Sequence, residues 1–176
     1  MMKIVMKIVI GLVGLIVLLG VIGLFLPKQF RIERSLVMAA PAEKIYPMIA
    51  EPKNWPKWGI WNQRDPNMKL DFSGAASGTG AKWAWQSKSQ GNGAMEFTAA
   101  EVNQQITYKL SFPDFDMESK GVLILKPEGN GTKVTWTNEG EYGNPYFRYF
   151  GLMMDGSVGG DFDAGLKNLK AIVEKS

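Results

Sequence analysis

The 176-residue chain contains no cysteine and no histidine. Without cysteine there can be neither a disulfide framework nor a thiolate nucleophile. Without histidine the usual general base near neutral pH and the commonest transition-metal ligand are both missing. A Ser-His-Asp arrangement, a Cys-His dyad and a His-based zinc site are therefore excluded within this chain. A charge imbalance is also lacking over most of its length: the net charge of +3 comes from Lys3, Lys7 and Lys28, while residues 29–176 carry 17 basic and 17 acidic side chains. A domain with no basic stripe lacks the electrostatic footprint of nucleic-acid binding, so no nucleic-acid partner is expected.

What is present first is a run from Ile8 to Leu26, nineteen positions without a charged side chain, preceded by Lys3 and Lys7. At about 1.5 Å rise per residue such a helix can cross a hydrocarbon core of about 30 Å. It is longer than the apolar region of a cleaved secretory signal and closes with Leu24, Phe25, Leu26, Pro27 and Lys28, which offers no small-residue cleavage pattern. Residues 1–28 therefore read as an uncleaved transmembrane anchor, and residues 29–176 as one ordinary domain. Glycines at 11, 14, 20 and 23 would let another helix approach closely. Lys28, Arg31 and Arg34 nearly balance the amino-terminal lysines across the span. The short basic start, like that of an export signal, points the domain toward the outer, periplasmic or extracellular, side.

After the anchor, Arg31 to Met38 alternates as a strand, and Pro41 opens a short helix ending near Ala50, with Pro47 inside it as an objection. A turn-rich stretch follows with Trp55, Trp58 and Trp61 spaced by three. Trp55 and Trp58 are expected to pin this corner onto the sheet, whereas Trp61 suits an aromatic mouth equally well. Strands are then expected at about 68–73, 80–88, 93–101, 105–112, 117–126 and 132–141, joined by turns such as Gly91-Asn92-Gly93 and Asn130-Gly131, which suit positive φ. Gly78-Thr79-Gly80 reads as a bend in the sheet, not a phosphate loop. From Phe147 through Phe150, Met154, Val158, Phe162, Leu166, Leu169 and Val173 the apolar period becomes helical. Asp155-Gly156-Ser157 is expected to break this pattern into a short helix and a longer terminal one, with Asp155 as a cap.

Strand alternation puts Trp83 and Trp85 on one face, Tyr108, Leu110 and Phe112 on another, and Val134 and Trp136 on a third. With Met154 at the start of the last helix, these side chains could line an apolar pocket or fill a solid core. Glu139, Glu141 and Asp155 are the carboxylates that would become acid–base groups if they faced such a pocket.

The order of elements, together with Ala40-Pro41-Ala42-Glu43-Lys44-Ile45-Tyr46, Asn54-Trp55-Pro56-Lys57-Trp58, Asp65-Pro66-Asn67-Met68, Gly131-Thr132-Lys133-Val134-Thr135-Trp136 and the terminal Asp161-Phe162-Asp163-Ala164-Gly165-Leu166-Lys167-Asn168-Leu169, resembles the START-like (SRPBCC) superfamily. Within it the chain is similar to the membrane-anchored bacterial polyketide cyclase-like proteins. The resemblance implies an α+β helix-grip fold, a curved antiparallel sheet of six or seven strands around a long C-terminal helix. It also implies a cavity between sheet and helix, with Trp61, Trp83, Trp85, Tyr108, Phe112, Trp136 and Met154 as ligand-binding candidates. No cofactor, metal or catalytic residue is expected. The leading expectation is a membrane-anchored module that binds a hydrophobic small molecule or lipid without transforming it. The alternatives are a cyclase-type acid–base enzyme acting on a lipid-like or polyketide substrate, and an envelope scaffold or interaction protein with a filled core.

Overall fold

A computed structural model describes residues 2–115 and 117–175. The apolar run forms one helix, α1 (Met2–Phe25), whose length and mean hydropathy of 3.1 over an 18-residue stretch suit it to cross a membrane. After three linking residues the chain enters β1 (Gln29–Met38), followed by the short helices α2 (Ala42–Ala50), α3 (Trp55–Trp58) and α4 (Ile60–Arg64). Six further strands make a meander: β2 (Lys69–Gly74), β3 (Ala81–Gln86), β4 (Gly93–Glu101), β5 (Gln105–Phe112), β6 (Met117–Glu128) and β7 (Gly131–Glu141). The long helix α5 (Arg148–Val173) ends the described chain. All pairings are antiparallel, in the order β1-β7-β6-β5-β4-β3-β2, so the first strand closes onto the last and β2 is left at the other edge. This is the expected helix-grip arrangement.

One face of every strand from β3 to β7 supplies the core. Trp83, Phe97, Ile106, Tyr108, Leu123, Val134 and Trp136 are buried there, and Phe162, Leu166, Leu169 and Val173 of α5 close over them. The tryptophan corner has a local cause. Helix α2 carries Pro47 and is only two and a half turns long, so its last carbonyls need partners from outside. The next segment provides them: Asn54 Nδ2 donates to the Pro47 carbonyl at 3.0 Å, Trp58 Nε1 to Met48 at 3.0 Å and Trp55 Nε1 to Ile49 at 2.9 Å. The Asn-Trp-Pro-Lys-Trp sequence is thus a C-terminal cap for α2, which matches the pinning role expected of Trp55 and Trp58.

Three expectations about breaks and bends are corrected. Helix α5 is continuous across Asp155-Gly156-Ser157, and Asp155 is not a cap. Arg34 of β1 reaches across this stretch, with Nη1 on the Asp155 carboxylate at 2.8 Å, Nη2 on the Asp155 backbone carbonyl at 2.8 Å and Nε on Asp163 at 3.2 Å. A Cβ on Gly159 would collide with that guanidinium, so this glycine seats Arg34 where a helix break was expected. The second correction concerns the β6–β7 turn, where positive φ falls on Gly129 (59°) and not on Asn130 or Gly131. Pairing of Glu128 with Gly131 makes Gly129 and Asn130 the two turn residues and Gly131 already part of the strand. Gly78-Thr79-Gly80, expected as a bend in the sheet, instead lies in the connection between β2 and β3, with both glycines at positive φ.

Candidate ligand-binding site

A cavity of about 300 Å³ lies between the inner face of the sheet, the α3–α4 corner and α5. Trp61, Trp83, Trp85, Tyr108, Phe112, Trp136 and Met154 all line it, so side chains spread over 94 positions of sequence meet around one volume. Met153, next to Met154, points outward and is 70 % exposed.

The deep wall is aromatic. Trp136 stacks on Phe162 of α5 with ring centroids 3.9 Å apart and planes within 3°. Around it Trp55, Trp58 and Trp61 present edges at 5.7, 5.2 and 5.9 Å, the arrangement that the ring quadrupole favours. Gly165 allows this packing, because a Cβ there would stand 3.2 Å from the Trp136 ring. A bidentate ion pair from Arg64 of α4 to the buried Asp161 of α5 fastens the corner that carries Trp61 over the cavity.

Tyr108 is the one titratable residue on the cavity wall among the described residues. Its hydroxyl accepts from Trp136 Nε1 at 2.9 Å and from Asn138 Nδ2 at 3.3 Å, and it donates toward the Thr137 carbonyl at 3.5 Å. Burial pushes the phenol up to about 12, with the two N–H donors pulling weakly the other way. The phenol therefore keeps its proton at neutral pH and its oxygen is already occupied, which suits a structural node better than a base. Its ring lies flat against β6 at Gly121, the residue paired with it, where any Cβ would overlap the ring.

The three weighed carboxylates lie away from the cavity. Glu139 pairs with Arg31 at 2.8 Å, Glu141 with Lys28 at 2.6 Å and Asp155 with Arg34 at 2.8 Å. Hydrogen bonds from Lys28 and Arg34 hold Glu141 and Asp155 below the usual carboxylate range. What sequence reasoning missed is the neutral polar set on the wall: Asn62, Gln90, Ser119 and Asn138. Two of these had a signal, since Asn138 follows Trp136 by two and Ser119 precedes Gly121 by two, and so they share the inward parity. Gln90 sits in the β3–β4 turn, where no period applies.

A family described as polyketide cyclase / dehydrase and lipid transport matches residues 29–174. No curated protein matches the chain. Among solved structures, a protein of Mesorhizobium loti is 19 % identical with a TM-score of 0.61, covering 83 % of this chain and 98 % of its own. Truncated norcoclaurine synthase from Thalictrum flavum is 14 % identical with a TM-score of 0.64, covering 84 % and 95 %. A protein of Chromobacterium violaceum is 20 % identical with a TM-score of 0.54, covering 84 % and 98 %. At these identities the likeness concerns the START-like fold.

Proposed function

The chain belongs to the polyketide cyclase / dehydrase and lipid transport family, and from that premise we propose that it is a membrane-anchored module that holds one hydrophobic small molecule or lipid between its sheet and α5. Residues 1–28 are the anchor and residues 29–176 the binding domain. The observation that carries this reading is the character of the wall: among the described residues that line the cavity there is no Asp, Glu, Lys or Arg. An uncharged, largely aromatic wall stabilises an apolar guest by removing its surface from water, at about 25 cal/mol per Å². A charged guest would lose its hydration there without gaining a counter-ion. Trp61, Trp83, Trp85, Tyr108, Phe112, Trp136 and Met154 supply the contact surface, and the amides of Asn62 and Gln90 orient a polar end of the guest.

Support for the anchor comes from length. The 24 residues of α1 extend about 36 Å, enough to cross a core of about 30 Å.

The test is native mass spectrometry of the full chain released from lipid nanodiscs. Wild-type protein is expected to retain one apolar molecule per chain, and Ser119→Leu, which adds bulk at the wall, is expected to lose it while keeping its unfolding midpoint. An empty wild-type cavity that takes up no apolar dye saturably would overturn the binding reading in favour of a scaffold. Turnover of a lipid-like or polyketide substrate, abolished in Tyr108→Phe, would replace it with the cyclase-type reading.

A further inference from the structure

Helix α1 does not stand clear of the domain. The 3₁₀ turn Pro145–Phe147 and the first turn of α5 lie along its second half. The Tyr146 hydroxyl donates to the Ile16 carbonyl at 3.0 Å and the Tyr149 hydroxyl to the Leu19 carbonyl at 2.7 Å. Arg148 Nη1 reaches the other way, to the Leu24 carbonyl at 3.0 Å near the end of α1. Two of the four anchor glycines form the seat: a Cβ on Gly23 would meet the Pro145 carbonyl at 2.5 Å and one on Gly20 the Tyr146 hydroxyl at 2.7 Å, whereas Gly11 and Gly14 have nothing within 4 Å.

Length then fixes depth. Met2 to Ile16 is fourteen steps, about 21 Å, which is too short for a core of about 30 Å. A bilayer crossed by α1 must therefore also contain part of the stretch from Ile16 to Phe25, and with it whatever is hydrogen-bonded there. The docked segment has the chemistry for that place. From Tyr142 to Met154 the only charged residue is Arg148, which reaches back toward the end of α1 and the headgroup level. Phe150, Leu152 and Met153 are 60, 67 and 70 % exposed with no protein to cover them among the described residues. Both tyrosine hydroxyls already have acceptors, so neither needs water.

Sheet register brings the cavity to the same end. Phe30, five residues beyond Phe25, pairs with Gly140, and Gly140 with Ser119. The turn Pro113–Phe115, which carries the exposed Phe115, projects from the neighbouring Phe112–Met117 pair. Phe30, Phe112, Met117 and Met154 are cavity walls as well.

We propose that residues 145–153 are embedded in the bilayer leaflet on the domain's side, so that this end of the cavity opens onto lipid and takes its apolar guest from the leaflet. This rests on the reading of α1 as a membrane span. Because the chain has no cysteine, single labels can test it in the full-length protein. Leu18→Cys, Leu152→Cys, Phe115→Cys and Val102→Cys would each carry an environment-sensitive NBD dye in phosphatidylcholine vesicles containing nitroxide lipids, with circular dichroism confirming each fold. The expected result is a blue-shifted emission at 18 and 152 quenched severalfold by acyl-chain nitroxide. At 115 quenching should come from headgroup nitroxide, and at 102, in the turn at the opposite end of the sheet, from neither. A label at 152 that reads water while the label at 18 reads lipid overturns the embedding and leaves the anchor standing. A label at 115 in water, beyond reach of the headgroup nitroxide, overturns the lipid-facing mouth. Water at both 18 and 152 removes the anchor itself, and the proposal with it.

Discussion

The two parts of α5 obey the same sequence period but meet different surroundings. From Gly159 onward, Asp161, Phe162, Gly165, Leu166, Leu169 and Val173 are buried, whereas no residue from Arg148 to Val158 is. The apolar stripe runs through both parts without a phase change, from Phe150 and Met154 to Leu166 and Leu169. What differs is the partner. The later part lies on the sheet and the tryptophan corner, where Asn168 Nδ2 also donates to the Trp58 carbonyl at 3.1 Å. The earlier part overhangs the cavity and runs beside α1. An amphipathic period thus records that a helix has an apolar partner, but not whether that partner is protein, guest molecule or lipid. Arg34 stands at the boundary, holding Asp155 on one side and Asp163 on the other.

The sharpest way to break this comparison is to truncate one apolar residue in each part. Leu166→Ala should destabilise the protein by about 2–5 kcal/mol, because Leu166 is fully packed and the cavity left behind cannot collapse. Leu152→Ala should change unfolding by less than about 0.5 kcal/mol in detergent, as for other exposed positions. Equal losses in denaturant titrations would show that the early part belongs to the core after all.

Next in size is the boundary. Arg34→Ala should cost about 1 kcal/mol, since a side chain that bonds two carboxylates and two backbone carbonyls is lost from a partly solvated site. The loss should appear as faster amide exchange around residues 153–159 than around 165–169. Exchange that rises evenly along α5 would argue against a boundary at Arg34.

Acid should reach the same boundary. Arg34 holds the Asp155 carboxyl below its usual range, so the folded value lies beneath the unfolded one of about 3.9. Its contribution is therefore complete above the unfolded value and disappears as pH falls through the folded one. Wild type should unfold at a higher midpoint than Asp155→Asn at pH 5 to 7, and the two should converge as pH falls through the lowered folded value. A difference that persists in acid would mean that the pair is not what separates them.

The smallest expected effect distinguishes the glycines that the sequence makes look alike. Gly156→Ala and Gly160→Ala meet nothing within 4 Å and should each stabilise by about 0.5–1 kcal/mol through helix propensity. Gly159→Ala should gain nothing, because its Cβ displaces Arg34. Thermal midpoints of the three variants would separate a packing glycine from two that only loosen the helix.

The sequence by itself determined the elements whose signal is local. The uncharged run became α1, the alternations became strands within two residues of their expected ends, and the inward parity of Trp83, Trp85, Tyr108, Phe112 and Trp136 brought them to one cavity. A strand face repeats every second residue whatever lies opposite it, so such side chains can be grouped before the fold is known. Only the tertiary structure decided the continuity of α5, because the guanidinium that bridges its glycine-rich stretch comes from β1, 121 positions earlier. It alone turned the tryptophan corner into a cap for α2, set Gln90 on the cavity wall, and laid Tyr146 and Tyr149 along the amino-terminal helix. Each of these depends on which distant groups are brought within hydrogen-bond reach, a distance that neither period nor propensity encodes.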